Sequence, residues 1–537
     1  MKKTLLIFVL FISYSSFSQE DAWVYFKDKP NSQYYFSNPL QMLSQRALNR
    51  RSIQNISLDL LDIPIHQAYI DQITATPGIT VKAKSKWLNC LHIRGTQVNI
   101  QALSLISFVD HVSFADRTLN VGGKFTHSNT FNPVNKILET QISYNYGNSA
   151  NQIQMLNGHL LHQQNYTGTG KIIAVLDAGF PSVDVAIPFQ RLRDNNQILG
   201  GYNFVDRSSN FYSMSTHGTM VLSTMGGFVD NQLVGTAPDA SYYLFVTEDT
   251  SSENPLEESL WVEAAEMADN LGVDVINTSL GYFGYDNPNY SYTYSDMNGI
   301  TAFSSRGANI AFSRGMVVVV SAGNSGNSAN VHIGSPADAI NVLTVGAVNS
   351  DRTYASFSSI GPSFDGRVKP DLMAQGLNAV VSNPNGTIAV NSGTSFSGPI
   401  IAGMVASFWQ AFPTLTNGQI VQFIKASADN YTTPNAQYGY GIPNFQMALT
   451  NALSSSEFYS DLISVYPNPV KDVVSFSIPI IGSTKEITIY NSLGQMFINQ
   501  SSINQIQNIS LQTLESGIYF YKIAVANGTK VGKLIKQ

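Results

Sequence analysis

GKIIAVLDAGF, residues 170–180, sets five apolar residues in succession, Ile172 to Leu176, and then an aspartate. A run that is apolar at every position leaves no face for water, so it reads as a strand covered on both sides. The same pattern recurs in VDVIN (273–277), MVVVVS (316–321) and NVLTVG (341–346). Helical segments separate these runs, among them LEESLWVEAAEMADNLG (256–272), which Gly272 closes. Buried strands alternating with helices predict a parallel α/β sheet over residues 149–452. Ligands of such sheets gather beyond the carboxyl ends of the strands, where Asp177 stands. A charge there is costly to bury unless it is paired, although a structural aspartate also explains it when it is taken alone.

The rest of the chain is long enough for small units around that domain. It has 537 residues, 43% hydrophobic and 12% charged, with a formal charge of −6. No Lys/Arg cluster appears, so no nucleic-acid partner is expected. MKKTLLIFVLFISYSSFSQ opens the chain with two lysines, an apolar core from Leu5 to Ile12 and a small-x-small ending. It reads as a signal peptide, residues 1–18, cut before Gln19. The apolar run is too short to span a bilayer, and no transmembrane span is expected later. Cys90 is the single cysteine, which excludes an intramolecular disulfide.

Residues 19–118 alternate strand-like and helical runs. AWVYF (22–26) and ITVKAKSKW (79–87) read as strands, and IHQAYIDQITAT (65–76) as a helix ended by Pro77-Gly78. NCLHIRG, NIQALSLI and FVDHVSFA then give strand, helix and strand, a β-α-β-β-α-β order suited to a small α+β unit. Residues 119–148 read as a linker, and TNALSSSEFYSD (450–461) as a second one. Residues 462–537 carry short alternating strands, VVSFSIP, EITIY and GIYFYKIAV, which predict a β-sandwich.

Three further polar residues stand at strand ends or helix starts. His217 lies in STHGTMVLSTMGG (215–227), where Gly218 lets another backbone approach and Val221, Leu222 and Met225 mark the buried helix face. Asn324 ends SAGN (321–324) in a glycine-rich loop, where turn formation is the plain reading. Ser395 lies in NSGTSFSGP (391–399), just before the apolar run IIAGMVASFWQAF. It is either a helix N-cap or a nucleophile beside backbone donors. The chain order Asp177, His217, Ser395 is one of the known orders of a Ser-His-Asp constellation.

VLDAG, STHGT, SAGN and GTSFSGP together resemble the four signature segments of subtilisin-like serine proteases. VINTSLG, VGAV, ASFSSIGP and VKPDLMAQG support the resemblance in the same order. Two departures flank the key residues: Ala178 where the family usually has Ser or Thr, and SFSGP for the commoner SMASP. The resemblance implies a Ser395 nucleophile, His217 as general base and acid, and Asp177 holding the imidazole tautomer. The Asn324 amide and the Ser395 N–H would donate to the oxyanion. It also implies that Ser279, Leu280 and Gly281 pair with an extended substrate, and that residues 322–326 and Gly334 line the primary specificity pocket.

By the same resemblance, residues 19–118 are a propeptide that acts as chaperone and inhibitor. VYPNPVKD, IYNSLGQ, LESGIYFYKI and the final GKLIKQ resemble the sorting domain that type IX secretion systems of Bacteroidetes recognise. The expectation is therefore a serine endopeptidase that passes the periplasm and is secreted or held at the cell surface. Its partners would be protein or peptide substrates, its own propeptide and the secretion machinery. No metal or cofactor is expected: His159 and His162 form an H-x-x-H without an evident third ligand, and no H-E-x-x-H, P-loop or EF-hand spacing occurs. A catalytically inactive binding or adhesion protein on the same fold is the alternative. An α/β-hydrolase esterase would need G-x-S-x-G with histidine last, whereas here histidine precedes serine.

Overall fold

The computed structural model describes residues 19–120, 143–453, 463–478, 485–491, 493–502, 506–525 and 528–537. The expected signal peptide, residues 121–142 of the first linker and residues 454–461 of the second lie outside the described residues.

Strand β1 (Gln19–Phe26) is buried from Asp21 to Phe26 because two different partners cover it. Ala22, Val24 and Phe26 face a core with Ile73, Leu91, Ile93 and Ile100. Trp23 and Tyr25 face the other way and join Trp261 and Phe303 of the next unit. After β1 come α1 (Ser32–Ser37), α2 (Gln45–Ile53), α3 (Gln67–Thr74), β2 (Ile79–Ser85), β3 (Cys90–Thr96), α4 (Gln97–Ala102) and β4 (Val109–Phe114). The antiparallel sheet runs β2-β3-β1-β4, as the β-α-β-β-α-β order predicts. Residues 27–66, with α1 and α2, form an arm inserted into that order. Cys90 is buried; burial pushes its thiol up, which keeps it protonated and unreactive.

The large unit opens with α5 (Ala150–Gln154) and α6 (His159–His162), followed by β5 (Ile172–Asp177), α7 (Gln190–Asp194), β6 (Ile198–Asn203) and α8 (His217–Gly226). A small hairpin, β7 (Phe228–Val229) and β8 (Leu233–Val234), leads to β9 (Ser241–Val246), α9 (Leu256–Leu271), β10 (Val275–Thr278) and α10 (Phe303–Ser313). Next are β11 (Val317–Ser321), β12 (Leu343–Val348), β13 (Leu372–Gln375) and the hairpin β14 (Ala379–Ser382) and β15 (Ile388–Asn391). Helices α11 (Thr394–Ala411), α12 (Asn417–Ala426) and α13 (Phe445–Leu453) complete it. Thr450 to Leu453 are thus the end of α13 rather than linker.

Seven strands pair in parallel in the order β13-β12-β11-β10-β5-β9-β6. Alternate residues supply two cores. Ile173 and Val175 face one with α8 and α11, and Ala174 and Leu176 face the other with α9 and α10. Both faces are covered, which is why β5 carries no polar residue before Asp177.

The C-terminal unit has β16 (Ser464–Tyr466), β17 (Val473–Ser477), β18 (Lys485–Asn491), β19 (Met496–Ser502), β20 (Ile506–Ser510), β21 (Gly517–Val525) and β22 (Gly528–Lys536). They form a three-stranded sheet, β16-β17-β20, and a four-stranded one, β19-β18-β21-β22. Val474 and Phe476 of the first pack with Ile487, Ile489 and Ile523 of the second, the two-layer arrangement of a β-sandwich.

Helix α11 is buried at every position except Ser395 and Gln410, which are partly exposed. A helix apolar all round runs through an interior. Its N-cap is Gly393, so Ser395 is the second helical residue and not the cap. Pro399 falls in the second turn. Without its N–H, the usual bond to the Ser395 carbonyl is missing. The Ser279 hydroxyl donates to that carbonyl instead, at 3.0 Å. Ser279→Ala should therefore cost about 1–3 kcal/mol of unfolding free energy, the penalty of an unpaired carbonyl. Pro399→Ala restores an N–H at that place, so the double variant should recover part of the loss. Strict additivity in denaturant titrations would contradict this.

Candidate active site

The carboxyl ends of neighbouring β5, β10 and β11 lead into Asp177, Ser279 and the loop of Asn324. His217 is the first residue of α8. Its Nδ1 lies 2.7 Å from Oδ1 of Asp177, whose side chain is fully buried while the imidazole is 30% exposed. The same oxygen accepts from the Ala178 N–H at 2.8 Å. Gly218 permits this approach, since a Cβ there would come 2.4 Å from the Gly179 carbonyl oxygen and 3.0 Å from Cβ of Asp177.

Ser395 follows Thr394 at the start of α11, and the His217 ring lies 6.3 Å from that of Phe396. The Ser395 hydroxyl donates to the Ser279 carbonyl over a long 3.4 Å. Asn324 is held by its oxygen: Oδ1 accepts from the Thr394 N–H at 2.9 Å and from its hydroxyl at 3.0 Å. That arrangement leaves the Nδ2 donor pointing elsewhere, beside Gly393, where a Cβ would stand 3.5 Å from it. The Ser395 N–H precedes the first intrahelical bond of α11. A hydroxyl and amide donors at the start of α11, with an oriented imidazole at the start of α8, can carry acyl transfer.

The expected substrate edge lies alongside. Ser279 is buried, Leu280 half-buried and Gly281 exposed. The chain then pairs with the opposite wall, Tyr282 N–H donating to the Ser335 carbonyl at 2.7 Å and Ser335 N–H returning at 3.1 Å. Gly334 is half-buried next to this bridge, and a Cβ on it would stand 3.1 Å from the Tyr282 carbonyl oxygen. The loop after β11 is pinned from behind, Ser325 N–H donating to Ser359 Oγ at 3.0 Å.

One residue that sequence reasoning missed completes the surroundings. Glu248, just past β9, is buried and accepts from Tyr282 Oη at 2.7 Å and Thr247 Oγ1 at 2.8 Å. Burial pushes its carboxyl up to about 7, against the pull of those two bonds. The signal was present, since LFVTED sets an acid just beyond a buried strand as LDAG does. The Asp177 charge raises the His217 imidazole above its ordinary range, burial opposes this, and the Glu248 charge adds a smaller upward pull.

The H-x-x-H pair is structural at His162. Its Nδ1 meets Tyr146 Oη at 2.9 Å and its Nε2 the Thr236 carbonyl at 3.1 Å. Burial brings it down to about 4, so it is neutral and ties Tyr146, at the end of the expected linker, to the domain. Among the described residues no group of three or more His, Cys, Asp or Glu side chains is placed to hold a metal ion. Nor is any of their helices long and apolar enough to cross a membrane.

Residues 168–441 match the family model described as the subtilase family. The chain belongs to the subtilases. It is 32% identical over 314 residues to subtilisin NAT of Bacillus subtilis subsp. natto, covering 58% of this chain and 74% of that one. Subtilisin of Bacillus pumilus is 32% identical over 299 residues, 55% of this chain and 97% of its own. Subtilisin BL of Lederbergia lenta is 31% identical over 288 residues, 53% and 93% respectively. Residues 21–132 match the peptidase S8 propeptide domain of Bacteroidota, and residues 464–537 a secretion system C-terminal sorting domain. This subtilase is thus a subtilisin-like serine endopeptidase made with a propeptide and addressed for secretion or cell-surface attachment.

The electrostatics give an ordered expectation for the subtilase. Followed by NMR, the His217 imidazole should titrate above the usual histidine value of about 6.5. Glu248→Gln should lower it slightly and Asp177→Asn more, because each removes a negative charge that favours the imidazolium. An unchanged midpoint in Asp177→Asn would exclude the pairing.

Proposed function

We propose that Ser395, His217 and Asp177 form the catalytic relay of this endopeptidase, with Asn324 as an oxyanion donor. The observation that carries the reading is the 2.7 Å contact between His217 Nδ1 and the buried Asp177 carboxylate. It keeps the ring proton on Nδ1, so Nε2 is the basic nitrogen. Nε2 takes the Ser395 Oγ proton as the oxygen attacks the scissile carbonyl, and the imidazolium then protonates the leaving amine. A rotation of Ser395 about χ1, away from the weak bond to Ser279, precedes that step. Asn324 Nδ2 and the Ser395 N–H meet the developing oxyanion. Water then enters by the reverse sequence and frees the acid product.

Ser279, Leu280 and Gly281 pair with the extended substrate backbone, and Gly334 leaves room in the primary pocket. Residues 19–118 inhibit the enzyme until they are removed, and residues 462–537 engage the type IX machinery in the periplasm.

Kinetics of peptide hydrolysis test the relay. Ser395→Ala and His217→Ala should each remove on the order of 10⁶ in kcat, and the double variant should be little worse. Independent, multiplying losses would sink the assignment. Asn324→Leu should lower kcat roughly 10²–10³-fold with little change in KM, since its donor acts in the transition state. An undiminished kcat would leave Asn324 as a loop residue only.

A further inference from the structure

The arm inserted after β1 reaches the edge of the subtilase sheet opposite the active site. Asp177, Ser279 and Asn324 stand at the carboxyl ends of β5, β10 and β11; the arm meets the segments that enter those strands. On α2, Arg46 pairs with Asp274 at 2.5 Å and donates to the carbonyls of Gly272 and Gly170 at 2.9 and 3.0 Å. Asp274 and Gly170 lie just before β10 and β5. One turn on, Arg50 pairs with Asp269 at 2.5 Å and also donates to the Val273 carbonyl. Arg51 bridges Asp269 and the arm's own Asp62, each at 2.8 Å. Gln54 uses both ends of its amide, donating to the Gly315 carbonyl at 2.7 Å and accepting from the Asn417 N–H at 2.9 Å.

This contact is built for the arm and is not a loose surface touch. Arg50, Arg51, Asp62 and Asp269 are all buried, two positive and two negative charges closed off together. Burial pushes the Asp269 carboxyl up, but Arg51 and Arg50 outweigh it and hold it at about 2. Removing one member leaves a buried charge uncompensated. At Gly272, with φ of 81°, a Cβ would stand 2.8 Å from the Ala47 backbone nitrogen; the enzyme is bare where α2 lies against it.

We propose that the amino-terminal end of the subtilase sheet is a second docking surface for the propeptide, which the arm, residues 27–66, occupies through Arg46, Arg50 and Gln54. This surface holds the propeptide after the chain is cut, independently of the catalytic cleft, and sets how fast the inhibitor leaves. The packing of Trp23 and Tyr25 on α9 and α10 forms a separate contact of the same domain.

The test follows binding, so it does not depend on the proposed catalytic relay. The full chain is made as Ser395→Ala with a recognition sequence for an added protease inserted after residue 130. After cleavage, release of the N-terminal fragment is timed by size exclusion. Arg46→Ala and Arg50→Ala should each speed release roughly tenfold or more, as truncation of paired interfacial charges does. Lys27→Ala, at an exposed residue whose ammonium donates to the Ser107 carbonyl of the propeptide itself, should leave release at the reference rate. Reference-rate release from Arg46→Ala/Arg50→Ala overturns the proposal, as does equal acceleration by Lys27→Ala. Should Arg50→Ala fail to fold, the partly exposed Arg46→Ala decides by the same criterion.

Discussion

Burying the Asp177 carboxylate at the end of β5 is the constraint around which the catalytic end of the molecule is arranged. A charge without water costs several kcal/mol unless hydrogen bonds and a nearby cation offset it. Two donors converge on its Oδ1, the Ala178 N–H and His217 Nδ1. The requirement propagates outward. Helix α8 must begin at His217, Gly218 must lack a side chain, and the imidazole is left with one nitrogen to spare. Helix α11 approaches from the other side under a comparable constraint, because Pro399 leaves the Ser395 carbonyl to Ser279. Ser279 therefore links the segment after β10 to the helix that presents Ser395.

The catalytic domain was legible because its strands obey one rule. KIIAVL, VDVIN, MVVVVS and NVLTVG are apolar at nearly every position, and each lies in the parallel sheet with both faces covered. Asp177, His217, Asn324 and Ser395 stand near strand ends and helix starts as their sequence context suggests, with His217 against Asp177 and Asn324 against Thr394, and the roles proposed for them rest on that placement. Glu248 carries only the weaker mark of an acid just past a buried strand, and its partner Tyr282 lies 34 residues further along the chain and meets it only through the fold. The arm was not legible for a different reason. QRALNRRSI has no apolar stripe, since the side chains that α2 buries are Ala47, Arg50 and Arg51. Hydrophobic periodicity is blind to a helix that docks through paired charges.

The propeptide and the protease share one interior surface. Trp23 stacks on Phe303 at 5.0 Å and donates to Ser259 Oγ at 2.8 Å. Trp87 and Cys90 belong to the same apolar cluster as Trp261. An alternating strand with one wet face would have read polar on alternate residues; AWVYF does not, because its second face is an interface. Removing the propeptide therefore exposes apolar side chains and buried carboxylates of the protease together. Release is a step with its own energetic cost, separate from cutting the chain.

Covalent trapping distinguishes a Ser395 nucleophile activated by His217 from any other arrangement of the site. The processed protein is exposed to a fluorophosphonate at several pH values, and the adduct is located by peptide mass mapping. A single adduct on Ser395 is expected, formed faster as the His217 imidazole loses its proton and absent from His217→Ala. An adduct on another residue, or one on Ser395 that forms equally fast without His217, would contradict it.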